Sequence, residues 1–551
     1  MNALNQSTID LLTHSAQNYF NYLKERELGF EELRIQSITQ NIFGLQFQLY
    51  SKIYSLEGLI LHANDAYYPI SENGEIQASF YDEKTKNLIL NITNPTLKEK
   101  LTKNTKIIKL YSDLKFLVEN VRDFFVENQK LTLPQIASSI NATFSSEDLH
   151  KEQITALNGI FSSPLCYIWG AAGSGKTKVV LLHALATYIQ KDMRVVILAP
   201  TNNALEQSLS SLLERLNEIG IDTQNILRLG TPSQSFAERF SINCDPILLD
   251  RQAYKTKLDK SLVIAATLDT FLRREELRSL KFHHFFIDEA GFTPLVKALS
   301  LCAYNKPITL LGDHKQLKPI CMLDKKDFNA YFPSKLWFYS ALFMESFFAL
   351  QENFLEKSNP KEPLLPKNTF ILTHTYRYGD NLAKLLDAYI YKNGLCGQNT
   401  QTNLYLFPVV NHQDTKELQN PQEAEGCIKL AKTLINRGKE FAIITPFVKQ
   451  RKLILEKFSL LRQMECVFTI HSSQGQEFDT VIFSPVCLHY HLSDSRNEEA
   501  LYSLNVALSR AKKEIIFVCD KNYWNTYPTQ FLTQIIKISK VIYIKEEKNP
   551  L

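Results

Sequence analysis

No two of the nine cysteines stand as a Cys-x-x-Cys pair, which argues against a structural zinc module. Their scatter from Cys166 to Cys519 argues equally against a disulfide framework, so reduced cysteines packed as small hydrophobes are expected. Charge of one sign is lacking as well. The balance of 62 Lys+Arg against 58 Asp+Glu leaves a formal net charge of +4, too slight to announce a nucleic-acid partner, so any basic track must be local. No uninterrupted apolar run approaches the ~20 residues that cross a membrane, and residues 1–17 lack the basic-then-apolar layout of a signal peptide. A soluble cytoplasmic protein with no membrane partner is therefore expected. Neither a short-period repeat nor a low-complexity tract is present, and the 551 residues suggest about three or four domains.

Helical apolar spacing over 9–32 (Leu11, Leu12, Tyr19, Phe20, Leu23) predicts an amphipathic helix. The period then changes. Alternation at 45–49 and 88–92, with the Asn73-Gly74 turn signal between them, predicts a small sheet or barrel over 35–111. Leu114, Leu117, Val118, Val121, Phe124 and Phe125 fall on one face of a second helix. The layout is a β-barrel-like accessory domain, 35–111, on a helical stalk formed by 1–34 and 112–148. Buried-strand runs at 165–169, 195–198, 262–265, 285–287 and 308–311 then alternate with helical segments and predict a parallel sheet covered on both faces, in a domain spanning 149–351. A Pro- and Lys-containing stretch, 352–368, is expected to connect it to a second α/β domain at 369–551, whose strand candidates are 370–373, 441–444, 480–483 and 515–518.

Three segments carry chemistry in the first of these domains. Gly170-Ala171-Ala172-Gly173-Ser174-Gly175-Lys176-Thr177 is a complete G-x-x-x-x-G-K-T loop between a strand-like run and a helix-compatible one. Its glycines let backbone N–H groups turn towards a triphosphate, Lys176 can reach the β/γ-phosphates, and the Thr177 hydroxyl can ligate Mg²⁺. Asp288 and Glu289 follow the apolar run 285–287, where a nucleotide lies in an open α/β sheet. Asp288 is the candidate Mg²⁺ ligand, and Glu289 the residue that orients or deprotonates the attacking water. Leu311-Gly312-Asp313-His314-Lys315-Gln316-Leu317 again follows an apolar strand, with Gln316 placed to sense the γ-phosphate.

In order and strand context these segments resemble motifs I, II and III of the superfamily 1 helicases. The resemblance implies ATP and Mg²⁺ as cofactors and two tandem RecA-like P-loop domains. It also implies roles for further residues. Gln153 sits where the family's Q motif recognises adenine, and Pro200, Thr201, Asn202 and Asn203 match motif Ia, which contacts the nucleic-acid backbone. Thr267 ends a weaker strand-end contact of the same kind. Thr375-Tyr376-Arg377-Tyr378 resembles the motif that brings an aromatic ring to the base and an Arg to the γ-phosphate. The segment 504–511 resembles motif VI, making Arg510 a second such Arg, a task suited to a permanently charged planar fork. Thr445 and Pro446 fit motif IV, and 470–477 fits motif V, with Ser473 at the nucleic acid and Glu477 at the ribose.

Asp288-Glu289-Ala290-Gly291, the Tyr-Arg pair and Asn505-Val506-Ala507 are most similar to the Upf-like 5′-to-3′ branch, with RecD-like features in motif V. That branch implies a monomer moving 5′-to-3′ on single-stranded DNA or RNA next to a duplex junction. The chain departs from its pattern at Phe292, at Thr375, and at Tyr502 and Ser503, which replace a basic pair. These changes leave the hydrolysis residues intact and put the coupling of hydrolysis to movement in question, unless Arg496 substitutes. The alternative is an ATP-dependent clamp or switch on nucleic acid that does not unwind processively.

Overall fold

The computed structural model describes residues 4–41, 44–50, 53, 56, 58–63, 66–71, 74–82, 85–103, 108–113, 115–136, 140, 142, 144, 149–246, 250–359, 365–410 and 417–543. They cluster into two compact units. The first holds the chain up to Trp169, Lys176–Gly312 and Lys318–Ile371; the second holds Gly170–Gly175, Asp313–Leu317 and the chain from Leu372.

In the first unit the central sheet runs in the order Ile226–Arg228, Val263–Thr267, Val195–Ala199, His284–Ile287, Ile308–Gly312, Leu165–Gly170, Thr369–Leu372. The pairs registered from Ile226–Arg228 through Leu165–Gly170 are all parallel. Every residue of Leu165–Gly170, Val195–Ala199, Val263–Thr267 and Ile308–Gly312 is buried, which is why these strands read as unbroken apolar runs instead of alternating ones. The second unit repeats the architecture with six strands, in the order Val467–Thr469, Phe441–Thr445, Phe478–Phe483, Ala511–Cys519, Asn403–Pro408, Lys540–Val541. All of its registered pairs are parallel.

The N-terminal module, within the first unit, is two four-stranded antiparallel sheets. One runs Phe30–Leu33, Lys109–Asp113, Leu59–Ala63, Ala66–Pro69; the other runs Ile35–Asn41, Gly44–Leu49, Asn87–Ile92, Ile76–Asp82. Leu45, Phe47, Leu61, Leu88, Leu90 and Leu110 belong to one shared core, to which the unanticipated helix Pro95–Lys103 adds Leu97 and Leu101. Helices Gln6–Glu25 and Lys115–Glu127 pack against each other and bury Leu12, Ala16, Leu23, Val121 and Phe125. The fold class is thus the expected one: two parallel-sheet α/β domains and a small N-terminal β module.

The differences are local and have physical causes. The first helix stops at Glu25, short of 32. Glu27 takes a left-handed φ of 53°, Leu28 N–H donates to the Leu23 carbonyl (2.7 Å) and Glu27 N–H to the Lys24 carbonyl (3.3 Å), a Schellman closure after which Phe30–Leu33 leaves as a strand. Such closures usually carry Gly at the left-handed position, and Glu27 gives no such signal. The strand expected at 370–373 as part of the second sheet is Thr369–Leu372, and it forms the edge of the first sheet. Within 352–368, Phe354 and Leu355 are buried on the helix Phe354–Lys357, so that stretch begins as packed structure. Asn73 and Leu114, used in the turn and helix readings, lie outside the described residues, as does most of 137–148. Among the described residues no helix is long and apolar enough to cross a membrane.

Candidate nucleotide site and nucleic-acid groove

In the first unit Asp288 directly follows the strand His284–Ile287 and is 5% exposed. Thr177 Oγ1 donates to Asp288 Oδ2 at 3.1 Å, and Ser208 Oγ donates to the same oxygen at 2.6 Å. The other oxygen, Oδ1, accepts the Glu289 N–H at 3.0 Å. Glu289 itself has a left-handed φ of 53°, a conformation that strains a non-glycine residue by about 1–2 kcal/mol and clusters at functional sites. Its carbonyl accepts from Phe292 N–H (2.9 Å) and Thr293 Oγ1 (3.2 Å), so Phe292 closes this turn through its backbone whatever its side chain. Lys176 and Thr177 open a wide π-helical turn, Lys176–Leu181, a local distortion frequent at functional sites. Gln153 is 4% exposed and its Oε1 accepts the His150 N–H (3.0 Å), which fixes the start of helix Lys151–Ser162.

In the second unit the loop tip Gly170–Gly175 lies along the segment 375–377. Thr375 Oγ1 donates to the Ala172 carbonyl (2.7 Å), and Tyr376 N–H donates to the Gly173 carbonyl (2.9 Å). Gly173 is required here twice over: its φ is +80°, and a Cβ would lie 2.5 Å from Arg377 Cβ. Arg377 Nη2 pairs with Glu477 Oε2 at 2.8 Å, and Nη1 donates to the Ser509 carbonyl at 3.2 Å. Arg510, 2% exposed, donates from Nε to the Val506 carbonyl (2.9 Å) and from Nη1 to the Gln476 carbonyl (3.1 Å). Both guanidiniums are held in fixed orientations. Ser174 Oγ and Arg377 Nε are buried without a protein hydrogen-bond partner among the described residues. The Tyr376 ring, 38% exposed, stands at the rim.

Asp313 organises a buried network that the sequence did not disclose. Its Oδ2 accepts from Gln316 Nε2 (2.9 Å) and from the Tyr391 hydroxyl (2.6 Å), while Oδ1 accepts the Lys315 N–H (3.0 Å). Asn505 Nδ2 then donates to both the Tyr391 oxygen and the Lys315 carbonyl, each at 2.8 Å. Burial, with the Asp313 carboxylate beside it, pushes the Tyr391 phenol well above its ordinary range, so it stays a neutral donor. Lys315 Nζ also donates to the Tyr502 hydroxyl (3.0 Å), so one position of the missing basic pair is tied to the Gln316 segment.

A groove in the first unit runs between the N-terminal module and the central sheet. Pro200, Thr201, Asn202 and Thr267 line one wall; Leu56, Ile70, Ser71 and Ala78 line the other. Thr201 and Thr267 cap the helices Asn202–Glu218 and Leu268–Arg273, so helix N-termini with their backbone N–H groups open onto the groove. Asn203 is outside the lining. Fully buried Arg228 holds this wall: Nη2 donates to Asn202 Oδ1 and Glu206 Oε1, each at 2.9 Å. Thr231 Oγ1 donates to the Ala78 carbonyl (2.9 Å) and Tyr81 N–H to the Pro232 carbonyl (3.1 Å), which sets the groove's width.

Thr445, Pro446 and Ser473, in the second unit, are buried instead. Thr445 Oγ1 accepts the Phe447 N–H (3.4 Å), and Ser473 Oγ donates to the Ile470 carbonyl (2.8 Å), so these hydroxyls serve the turns around them. The second unit also holds an unforeseen cluster around Glu423, which has no exposure. Glu423 Oε2 accepts from Ser484 Oγ (2.6 Å) and Val486 N–H (2.9 Å), and Gln450 Nε2 donates to Ser484 Oγ (3.0 Å) and the Asn420 carbonyl (3.1 Å). Burial pushes the Glu423 carboxyl up to about 8.

AAA domains are matched over residues 148–322 and 349–522. The DNA replication ATP-dependent helicase/nuclease JHS1 of Arabidopsis thaliana is 24% identical over 418 residues, covering 72% of this chain and 30% of that protein. Regulator of nonsense transcripts 1 of Dictyostelium discoideum is 25% identical over 446 residues, covering 67% and 30%. The ATP-dependent helicase upf1 of Schizosaccharomyces pombe is 23% identical over 432 residues, covering 67% and 44%. Among solved structures, that of Arterivirus nonstructural protein 10 (helicase) matches with a TM-score of 0.41 at 12% identity, covering 92% of this chain and 79% of that one. The chain belongs to the superfamily 1 helicases and is a homologue of the Upf1 and Dna2 type. It spans between 30% and 44% of the length of these three curated relatives.

Proposed function

We propose that the protein is an ATP-dependent helicase or translocase on single-stranded DNA or RNA, moving 5′-to-3′ as a cytoplasmic monomer and unwinding a duplex ahead of it. The observation that carries the ATPase reading is the 3.1 Å hydrogen bond between Thr177, in the turn Lys176–Leu181 that follows the loop, and Asp288, directly after the buried strand His284–Ile287. Residues of this kind fit ATP and Mg²⁺. Gly173 makes room that a Cβ would fill, and Ser174 Oγ is a buried hydroxyl without a protein partner. Gly170–Gly175 and Lys176 cradle the phosphates, Thr177 and Asp288 hold Mg²⁺, and Gln153 and Tyr376 bind the base, with Glu477 at the ribose. When bound, the metal supplies charge stabilisation to the transferring phosphoryl group. Glu289 orients the attacking water and takes its proton. Arg377 and Arg510 neutralise charge on the γ-phosphate, and Gln316 reports its presence through Asp313.

The strand lies in the groove against Pro200, Thr201, Asn202 and Thr267. Backbone N–H groups at two helix N-termini suit phosphates and carry little sequence information. A second reading, an ATP-dependent clamp that does not unwind, draws on Arg496. This replacement for the missing basic pair is held by both oxygens of Asp494, with Nε at 2.9 Å from Oδ1 and Nη2 at 2.5 Å from Oδ2. ATP turnover with and without single strands, in wild type, Lys176→Ala and Glu289→Gln, tests the first reading, and strand displacement from duplexes bearing either overhang separates it from the second. Wild-type turnover in Glu289→Gln refutes the catalytic assignment; strong ATPase with no displacement selects the clamp.

A further inference from the structure

The outer face of the accessory sheet is aromatic where an exposed antiparallel face is ordinarily polar. Phe30, Tyr111, His62 and Tyr67 come one from each of its four strands, in the order of the sheet. Neighbouring ring centroids are 5.0 Å apart for Phe30 and Tyr111, 6.3 Å for Tyr111 and His62, and 4.4 Å for His62 and Tyr67. Tyr67 also lies 6.1 Å from Tyr111, so the four rings form one compact patch. Tyr67, 59% exposed, is the more accessible end; Phe30, 39% exposed, has Lys115 Nζ 5.2 Å from its ring centre. The alternation of the strands explains the row, since Leu59, Leu61, Ala63, Leu110 and Ser112 point into the core and leave His62 and Tyr111 outside.

The geometry points to a base-stacking platform that extends the proposed nucleic-acid track beyond the groove, binding single-stranded DNA or RNA by the faces of its bases. It rests on the reading of the groove as the strand's seat. Continuity selects this occupant over a protein: the edge strand Ala66–Pro69 runs directly into Ile70 and Ser71, which line the groove, so Tyr67 stands about 10 Å along the chain from the groove wall. Four-stranded sheets that present aromatic rings stack two or three unpaired bases in this way, tolerant of sequence. Charges around the row are balanced, with Lys109 Nζ 3.1 Å from Glu32 Oε2 and Lys115 Nζ 3.5 Å from Asp113 Oδ1. The platform's contribution therefore comes from stacking, with little counterion release and little dependence on salt.

The test uses the full chain and length ladders of labelled oligothymidylate and oligouridylate. In wild type, affinity rises in a second step once the strand is long enough to leave the groove and reach Tyr67. In the double variant Phe30→Ala, Tyr67→Ala that step disappears, with a loss of about tenfold for long strands, similar at low and high salt. Short-strand affinity and basal ATP turnover stay unchanged, and Tyr67→Phe retains the step because the ring remains. Which ladder shows the larger step distinguishes DNA from RNA as the source of the bases. Equal length dependence in wild type and the double variant overturns the platform and leaves the face to a protein partner. If wild type binds neither short nor long strands, the groove reading falls and the platform with it; if short strands bind without a second step, only the platform falls.

Discussion

Glu423→Gln offers a sharp test of the buried cluster in the second unit. In the wild type the carboxyl has no exposure and is pushed up to about 8 from an ordinary 4.5, desolvation being the largest cause. Because the folded-state value is raised, the folded protein holds a proton that the unfolded chain releases. The associated stability is complete below 4.5 and is lost as pH rises through about 8. At ~1.4 kcal/mol per unit the loss is at most about 5 kcal/mol. Glutamine keeps an acceptor for Val486 N–H and Ser484 Oγ but cannot ionise, so the variant should match wild type near pH 5 and surpass it by a few kcal/mol near pH 9. Alanine should be less stable at both ends, since it opens a void and strands the Val486 N–H, a buried group worth about 1–3 kcal/mol. Calorimetric unfolding of the three proteins from about pH 5 to about pH 9 reads these differences. A glutamine variant that tracks wild type across the window refutes the argument.

Three further outcomes follow from the site. Arg510→Ala should bind ATP with near wild-type affinity and hydrolyse it at least about a hundredfold more slowly, measured by nucleotide titration against single-turnover rates. Ser208→Ala removes a 2.6 Å hydrogen bond to the Asp288 carboxylate, worth about 1.5–3 kcal/mol; the Mg²⁺ concentration needed for half-maximal turnover should shift, with strand affinity unchanged. Tyr391→Phe deletes the hydroxyl that joins Asp313 to Asn505. It should reduce the stimulation of ATPase by single strands far more than the unstimulated rate, and equal loss in both would assign Tyr391 to packing alone.

The phosphate loop and the acidic strand end were legible because phosphate chemistry imposes local rules. A backbone that is to approach an anion closely needs a glycine such as Gly173, at a φ of +80°, and the hydroxyl proposed to bind the metal follows the lysine directly. The parallel sheets were legible for a comparable reason: a strand covered on both faces, such as Val195–Ala199, can carry only apolar side chains. The first helix illustrates the limit. Its apolar spacing continues past Glu25, and the chain turns there because Glu27 adopts the left-handed conformation, a choice that the residue type does not advertise.

The Asp313 and Glu423 clusters were invisible for a deeper reason. Asp313 takes its Tyr391 partner from 78 residues away and Glu423 its Ser484 partner from 61, so neither has a spacing that periodicity can register. A buried carboxylate persists only when fully hydrogen-bonded, and removing one partner leaves a desolvated group exposed to its full cost. That all-or-none character suits a device that must hold one arrangement and then leave it. Gln316, tied to Asp313, and Asn505, tied through Tyr391 to the same carboxylate, cannot move independently. Thr445 and Ser473 make the complementary point: their motif positions match loops that grip a strand, yet their hydroxyls are spent on the turns that shape those loops. A motif letter thus marks where a loop must stand, while the direction in which its side chain points is decided by partners far away in the chain.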